Sequence, residues 1–201
     1  MYEYYNRTGN EFNETRLSSE FVYLIYEGFQ SKFLTRFFSK KEVLSVVTAL
    51  CRYICDRKRK QLIISEIDNQ ICGCLFLTEN QESFPHLYSE FRQTLSLFQT
   101  IKLILFLKLL SYTPTENEWY LDFLVVSKKF WKKGIGKSLL SHCKKQAKNK
   151  TLVLYVAEDN LNAIQLYKKM GFTIEKKEVS WFMKTLIGKK GWYLMKWKKE
   201  N

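Results

Sequence analysis

The chain has 201 residues, 46% of them hydrophobic and only two of them proline, which supports one domain with a sizeable core and argues against a second domain or a flexible linker. A net charge of +13, from 33 Lys and Arg against 20 Asp and Glu, favours anionic partners: nucleic acid, anionic lipid or a phosphate-rich cofactor. Five cysteines (Cys51, Cys55, Cys72, Cys74, Cys143), without CxxC spacing and behind no recognisable leader, count against a disulfide framework or a metal site and fit a reducing cytoplasm.

Tyr2 to Tyr5 has strand content, and Leu17 to Phe29 predicts a helix with Leu17, Phe21, Leu24, Ile25 and Gly28 on one face. Ser39 followed by Glu42 is a capping-box pattern, and Val43, Val47, Leu50, Cys51 and Ile54 continue it as a second amphipathic helix. Leu62 to Glu66 and Ile71 to Leu77, parted by Asp68 and Asn69, read as antiparallel strands around a turn. Cys51 and Cys55 then share a helix face, and Cys72 and Cys74 a strand face, as buried thiols.

Between Pro85 and Pro114 the sequence predicts one helix over 86–112, within an insertion at about 83–114. Its TIKLILFLKLL half is apolar on most sides, but Arg92, Lys102 and Lys108 keep it short of the roughly 20 uninterrupted apolar residues that a membrane span needs. No transmembrane segment is expected. Such a helix is expected to pack on the sheet and wall a pocket; peripheral membrane contact and a homodimer surface are its other uses, so a monomer or homodimer is expected.

Tyr120 to Val126 is apolar at nearly every position, as in a strand covered on both faces. Gly134 and Gly136 then open a helix whose apolar face runs through Ile135, Leu139, Leu140, Cys143 and Ala147. The first amides of a helix lack internal partners and carry partial positive charge. Glycine lets backbone approach a ligand, and Lys132, Lys133 and Lys137 add charge, so the turn suits a phosphate. A tight turn with close packing explains the same glycines without any ligand. A second strand follows at Thr151 to Ala157. Asp159 or Asn160 then caps a helix bearing Ala163, Ile164, Tyr167 and Met170, which Gly171 ends. Thr173 to Phe182 and Trp192 to Trp197 read as closing strands, with a loop at Met183 to Gly191.

LVVSKKFWKKGIGKSLL followed by LYVAEDNLNAIQLYKKMGF resembles the two core motifs of the GCN5-related N-acetyltransferase superfamily, the acetyl-coenzyme A dependent acyltransferases. The second motif is matched at Asn160, Ala163, Tyr167, Gly171 and Phe172. The resemblance implies an α/β (α+β) fold: a mixed, mostly antiparallel central sheet, helices on both faces, and a parallel strand pair at the cofactor site. It implies a single N-acetyltransferase domain over 1–201, with acetyl-coenzyme A as donor and no metal. Trp131 stands where the family has Arg or Gln, so backbone amides of Lys132, Lys133, Gly134, Ile135, Gly136, Lys137 and Ser138 are expected to hold the pyrophosphate. Leu124, Val125 and Val126 on the first strand, and Asn160, Ala163 and Tyr167 on the second motif, complete the expected cofactor contacts.

By the same resemblance Tyr167 is the acid that protonates the leaving thiolate. Asp122, a lone carboxylate in an apolar strand, is the candidate base, equally open to a structural role, with Tyr120 beside it on the same face. His86 and His142 are expected at the surface. The acceptor is expected to be a small-molecule amine. A protein amino terminus, a non-catalytic acyl-coenzyme A sensor and a basic nucleic-acid-binding protein are the alternatives, the last lacking any recognised reading motif.

Overall fold

The computed structural model describes residues 5–12, 14–33, 37–80, 83–181, 184–185 and 188–199. Seven strands form one sheet in the order β1-β2-β3-β4-β5-β7-β6: β1 (Tyr5–Thr8), β2 (Leu62–Ile67), β3 (Gln70–Thr78), β4 (Glu118–Val126), β5 (Thr151–Ala157), β6 (Thr173–Val179) and β7 (Gly191–Trp197). Neighbours run antiparallel except β4 and β5, which are parallel. This is the mixed α/β architecture implied above.

Four helices cover one face: α1 (Glu14–Phe33), α2 (Lys40–Arg57), α3 (Phe84–Phe91) and α4 (Leu97–Leu110). Phe21, Leu24, Val43, Val47, Phe91 and Leu103 meet Cys74 and Phe76 of β3 there. On the opposite face α5 (Ile135–Ala147) and α6 (Leu161–Lys169) bury Leu139, Leu140, Cys143 and Ile164 against Leu75 and Leu77. The alternation of β3 thus feeds two cores, one per face. Ser39 and Glu42 form the expected capping box on α2, and Asp68 and Asn69 turn β2 into β3 with φ of 49° and 58°.

Several expectations need correction. The single helix over 86–112 is two, α3 and α4, because Ser96 caps a new start: its hydroxyl accepts from the Gln99 amide at 3.3 Å while Gln99 Oε1 accepts from the Ser96 amide at 3.1 Å. The Arg92 guanidinium donates to the Leu95 carbonyl across the break. No helix among the described residues is long and apolar enough to cross a membrane. Cys72 and Cys74 do not share a face, since the register slips at Ser65/Glu66 and a bulge turns Cys72 into the α5 core while Cys74 enters the other. Within Met183 to Gly191, Lys184 N and Gly188 N donate to carbonyls four residues back, a helical pattern rather than an open loop. Tyr2 to Tyr4, Phe182 and the Leu17 side chain lie outside the described residues.

The start of β4 is locked by a buried carboxylate. Glu118 accepts from Lys196 Nζ at 2.8 Å, Tyr112 Oη at 2.9 Å and the Thr115 amide at 3.1 Å. Burial alone would raise its pKa, but these partners hold it at about 2. A depressed carboxylate contributes stability above its unfolded pKa and loses it as pH falls through the folded one. Glu118→Gln is therefore expected to cost at most about 3 kcal/mol near neutrality and to remove part of the stability loss between about pH 4.5 and 2. Chemical denaturation of both proteins across that range measures it; identical acid profiles would refute the assignment.

Candidate active site

Gly134 sits at φ 85° as the N-cap of α5, a conformation that glycine adopts without strain, and Lys132 beside it has φ 61°. The first helical bond of α5 is Ser138 N to the Gly134 carbonyl, so the amides before it have no partner inside the helix. Gly136 serves packing: a Cβ there would come within 3.0 Å of Leu166 on α6. Lys132 and Lys137 are exposed, and Lys133 lies over the Phe130 ring at 5.1 Å. The Ser138 hydroxyl accepts from Asn6 Nδ2 at 2.7 Å, which ties α5 to β1.

The parallel pair is short. Glu118, Trp119 and Tyr120 pair with Thr151, Leu152 and Val153, after which β4 and β5 have no paired residues although both strands continue. Ser127 N donates to Cys72 O at 2.9 Å, so the ladder's alternation turns Val125 backbone towards β3 and that of Leu124 and Val126 towards the opening. The Val125 side chain, expected above among the cofactor contacts, packs in the helical core against α1, where a Cβ on Gly28 would meet it at 2.4 Å. The Val126 carbonyl accepts from Trp131 Nε1 at 2.7 Å, so Trp131 spends its indole N–H on the strand and holds the turn against it.

Across the opening, Asn160 Oδ1 accepts from Ala163 N at 3.3 Å and starts α6. Tyr167 follows two turns later, buried and tilted against Phe172 at 5.7 Å between ring centres. Burial raises its phenol to about 12, so it is protonated at neutral pH.

On the α1/α2/α4 side the sheet opens into a cavity of about 540 Å³. A second bulge shapes it: the β3/β4 register slips between Phe76 and Leu77, so that Asp122 stands unpaired between Leu121 and Phe123. Asp122, Tyr120 and Phe123 all line the cavity. Asp122 is surrounded by protein yet open to the cavity, and this loss of bulk water raises its carboxyl to about 6 against the opposing hydrogen bond from Thr78 Oγ1. No cation among the described residues contributes to that balance.

The sequence profile of the acetyltransferase (GNAT) family matches residues 24–172. The chain belongs to this family. Among solved structures its fold is similar to an N-acetyltransferase from Staphylococcus aureus Mu50, with a TM-score of 0.70 and 16% identity over 96% of this chain and 100% of that one. It is also similar to the PaiA N-acetyltransferase from Thermoplasma acidophilum in complex with coenzyme A (TM-score 0.61, 16% identity, 98% and 99% covered). Ard1 from Thermoplasma volcanium is a third, with a TM-score of 0.61 and 15% identity over 98% and 99% of the two chains. No curated relative matches.

In this acetyltransferase the cavity brings in residues that the sequence did not single out. Tyr112 and Tyr155 pack around Tyr120 at 5.2 and 6.5 Å between ring centres, and Tyr155 donates to Glu178 Oε1 at 2.9 Å. Thr78, Tyr155 and Glu178 sit on β3, β5 and β6 and meet only because of the strand order. Tyr155, an interruption in the apolar TLVLYVA run, was the available signal. His86 is exposed, packing edge-on to Tyr53 at 6.2 Å. His142 is half-buried against Gln146 at 3.0 Å rather than at the surface, and burial lowers its pKa.

Proposed function

We propose that this acetyltransferase transfers the acetyl group of acetyl-coenzyme A to the primary amine of a small molecule, by direct attack in a ternary complex. One observation carries the reading: β4 leaves β5 after Tyr120, with the Gly134 turn at the end of the strand and Asp122 raised on a bulge facing a cavity. The coenzyme A complex of the PaiA acetyltransferase, a protein of similar fold, supports the choice of donor.

Amides from Lys132 to Lys137, with the dipole of α5 behind them, would hold the pyrophosphate, whereas the expected Ser138 amide is already bonded to the Gly134 carbonyl. Leu124 and Val126 would offer backbone groups to the pantetheine arm between the strands, and Asn160 and Ala163 would flank it at the start of α6. Asp122 takes a proton from the amine. The neutral amine nitrogen then attacks the thioester carbonyl carbon, the carbon–sulfur bond breaks, the Tyr167 hydroxyl gives its proton to the departing thiolate, and the proton that the nitrogen sheds as the amide forms returns to Tyr167. A cavity of about 540 Å³ lies within the usual range of small-molecule sites, about 300 to 1,000 Å³.

Acetyl-coenzyme A at a hundredfold excess over its Kd is expected to stabilise the fold by about 2.7 kcal/mol, read as a rise in Tm of roughly 5 to 10 °C. Thiol release should then depend on added amine. No calorimetric uptake of the donor would refute the reading, and uptake without amine-dependent thiol release would make the protein a sensor.

A further inference from the structure

The cavity's walls are of two kinds. Around Asp122 they are polar, with Thr78, Tyr120, Tyr155 and Glu178. Beyond it they are aromatic and aliphatic: Phe123 packs on Phe76 at 5.4 Å and on Phe29 at 5.6 Å between ring centres, and Ile25, Ile54 and Phe106 of α1, α2 and α4 continue the surface. The aromatic wall begins one residue from the carboxylate. The two acids also differ in what they lack. Glu178 already has Lys176 at 3.0 Å and the Tyr155 hydroxyl, whereas Asp122 has the Thr78 hydroxyl and no described cation. Lys108, also of the lining, is exposed on α4.

Asp122 faces the cavity with no described cation beside it, so an occupant that brings one positive charge is favoured. An apolar chamber rewards hydrocarbon in proportion to the area it removes from water. We infer that the acceptor is a hydrophobic monoamine, its ammonium group at Asp122 and its alkyl or aryl body in the chamber walled by Phe29, Phe76, Phe106 and Phe123. The inference rests on the acetyl-transfer reading of the site and adds the class of acceptor. Polyamines would bring a second charge that Glu178, already paired with Lys176, does not balance, and an amino acid's carboxylate would need Lys108, which is exposed on α4. A long acyl chain on the donor could fill the same space but brings no charge for Asp122.

The test is a homologous series of n-alkylamines from ethylamine to hexylamine with acetyl-coenzyme A, beside phenethylamine, phenylalanine and diaminobutane. KM is expected to fall about fourfold per methylene, following the transfer energy of a buried CH₂, and to be at least tenfold lower for phenethylamine than for phenylalanine or diaminobutane. A flat or rising series overturns the inference. So does chain-length dependence carried by the donor instead, seen as a preference for octanoyl- over acetyl-coenzyme A with ethylamine. Calorimetric titration with hexylamine, with and without coenzyme A, separates the two levels. Binding without acetylation keeps the chamber and rejects acetyl transfer; acetylation of polar amines alone keeps acetyl transfer and rejects the chamber.

Discussion

Replacing Asp122 with Asn is expected to lower kcat/KM by about 100- to 10,000-fold and, in the same protein, to raise the melting temperature. The two effects have one cause. The bulge at Asp122 places a carboxylate among protein groups at the cavity wall, still accessible to water there, and the crowding raises its pKa to about 6. Between the ordinary carboxylate value, about 3.9, and 6, the folded protein binds more protons than the unfolded one. Stability therefore declines as pH rises through that window, and above it the ionised group burdens the fold. Asparagine has no charge to desolvate and relieves that burden, though water in the cavity screens part of the gain.

In the proposed transfer the same ionisation would make Asp122 a base. Wild-type kcat/KM should climb on an acidic limb centred near pH 6, and the limb should vanish in the variant. Measuring both proteins with one amine cancels the acceptor's own titration. A variant that keeps the limb and the rate would leave Asp122 a structural carboxylate bonded to Thr78.

The parts of this site that could be read from sequence are those made by neighbours in the chain. Gly134 at positive φ, the Ser39 and Asn160 caps and the buried face of α5 each depend on a few consecutive residues, and each lies where its pattern put it. The break between α3 and α4 belonged to the same class, since Ser96 and Gln99 spell a capping box, but the apolar run around them masked it. Bulges are different. Whether Cys72 or Asp122 is the extra residue depends on pairing with a strand many residues away, and one slip decides which face a side chain meets. Likewise Thr78, Tyr155 and Glu178 converge through strand order, which no local pattern encodes. Trp131 shows the converse: its departure from the family motif was plain in the sequence, but its bond to the Val126 carbonyl was not.

Tyr167→Phe separates chemistry from binding. The ring fills the α6 side of the core against Phe172, and phenylalanine keeps that volume, so the fold and the Gly134 turn should be undisturbed. What is lost is one proton. Burial holds the phenol at about 12, far above a free thiol at about 8.5, so in the resting enzyme the hydroxyl remains protonated at all working pH. In the proposed transfer it would become a useful donor only as the carbon–sulfur bond breaks and negative charge gathers on sulfur, an interaction made in the transition state and absent from the ground state. The expected signature is therefore a fall in kcat of about a hundredfold or more, with the Kd for acetyl-coenzyme A within about twofold of wild type by calorimetry. A donor with a better leaving thiol should recover part of the loss, because less protonation is then required. If kcat is unchanged, or if Kd weakens as much as kcat falls, Tyr167 is a packing residue and the leaving thiolate takes its proton from water.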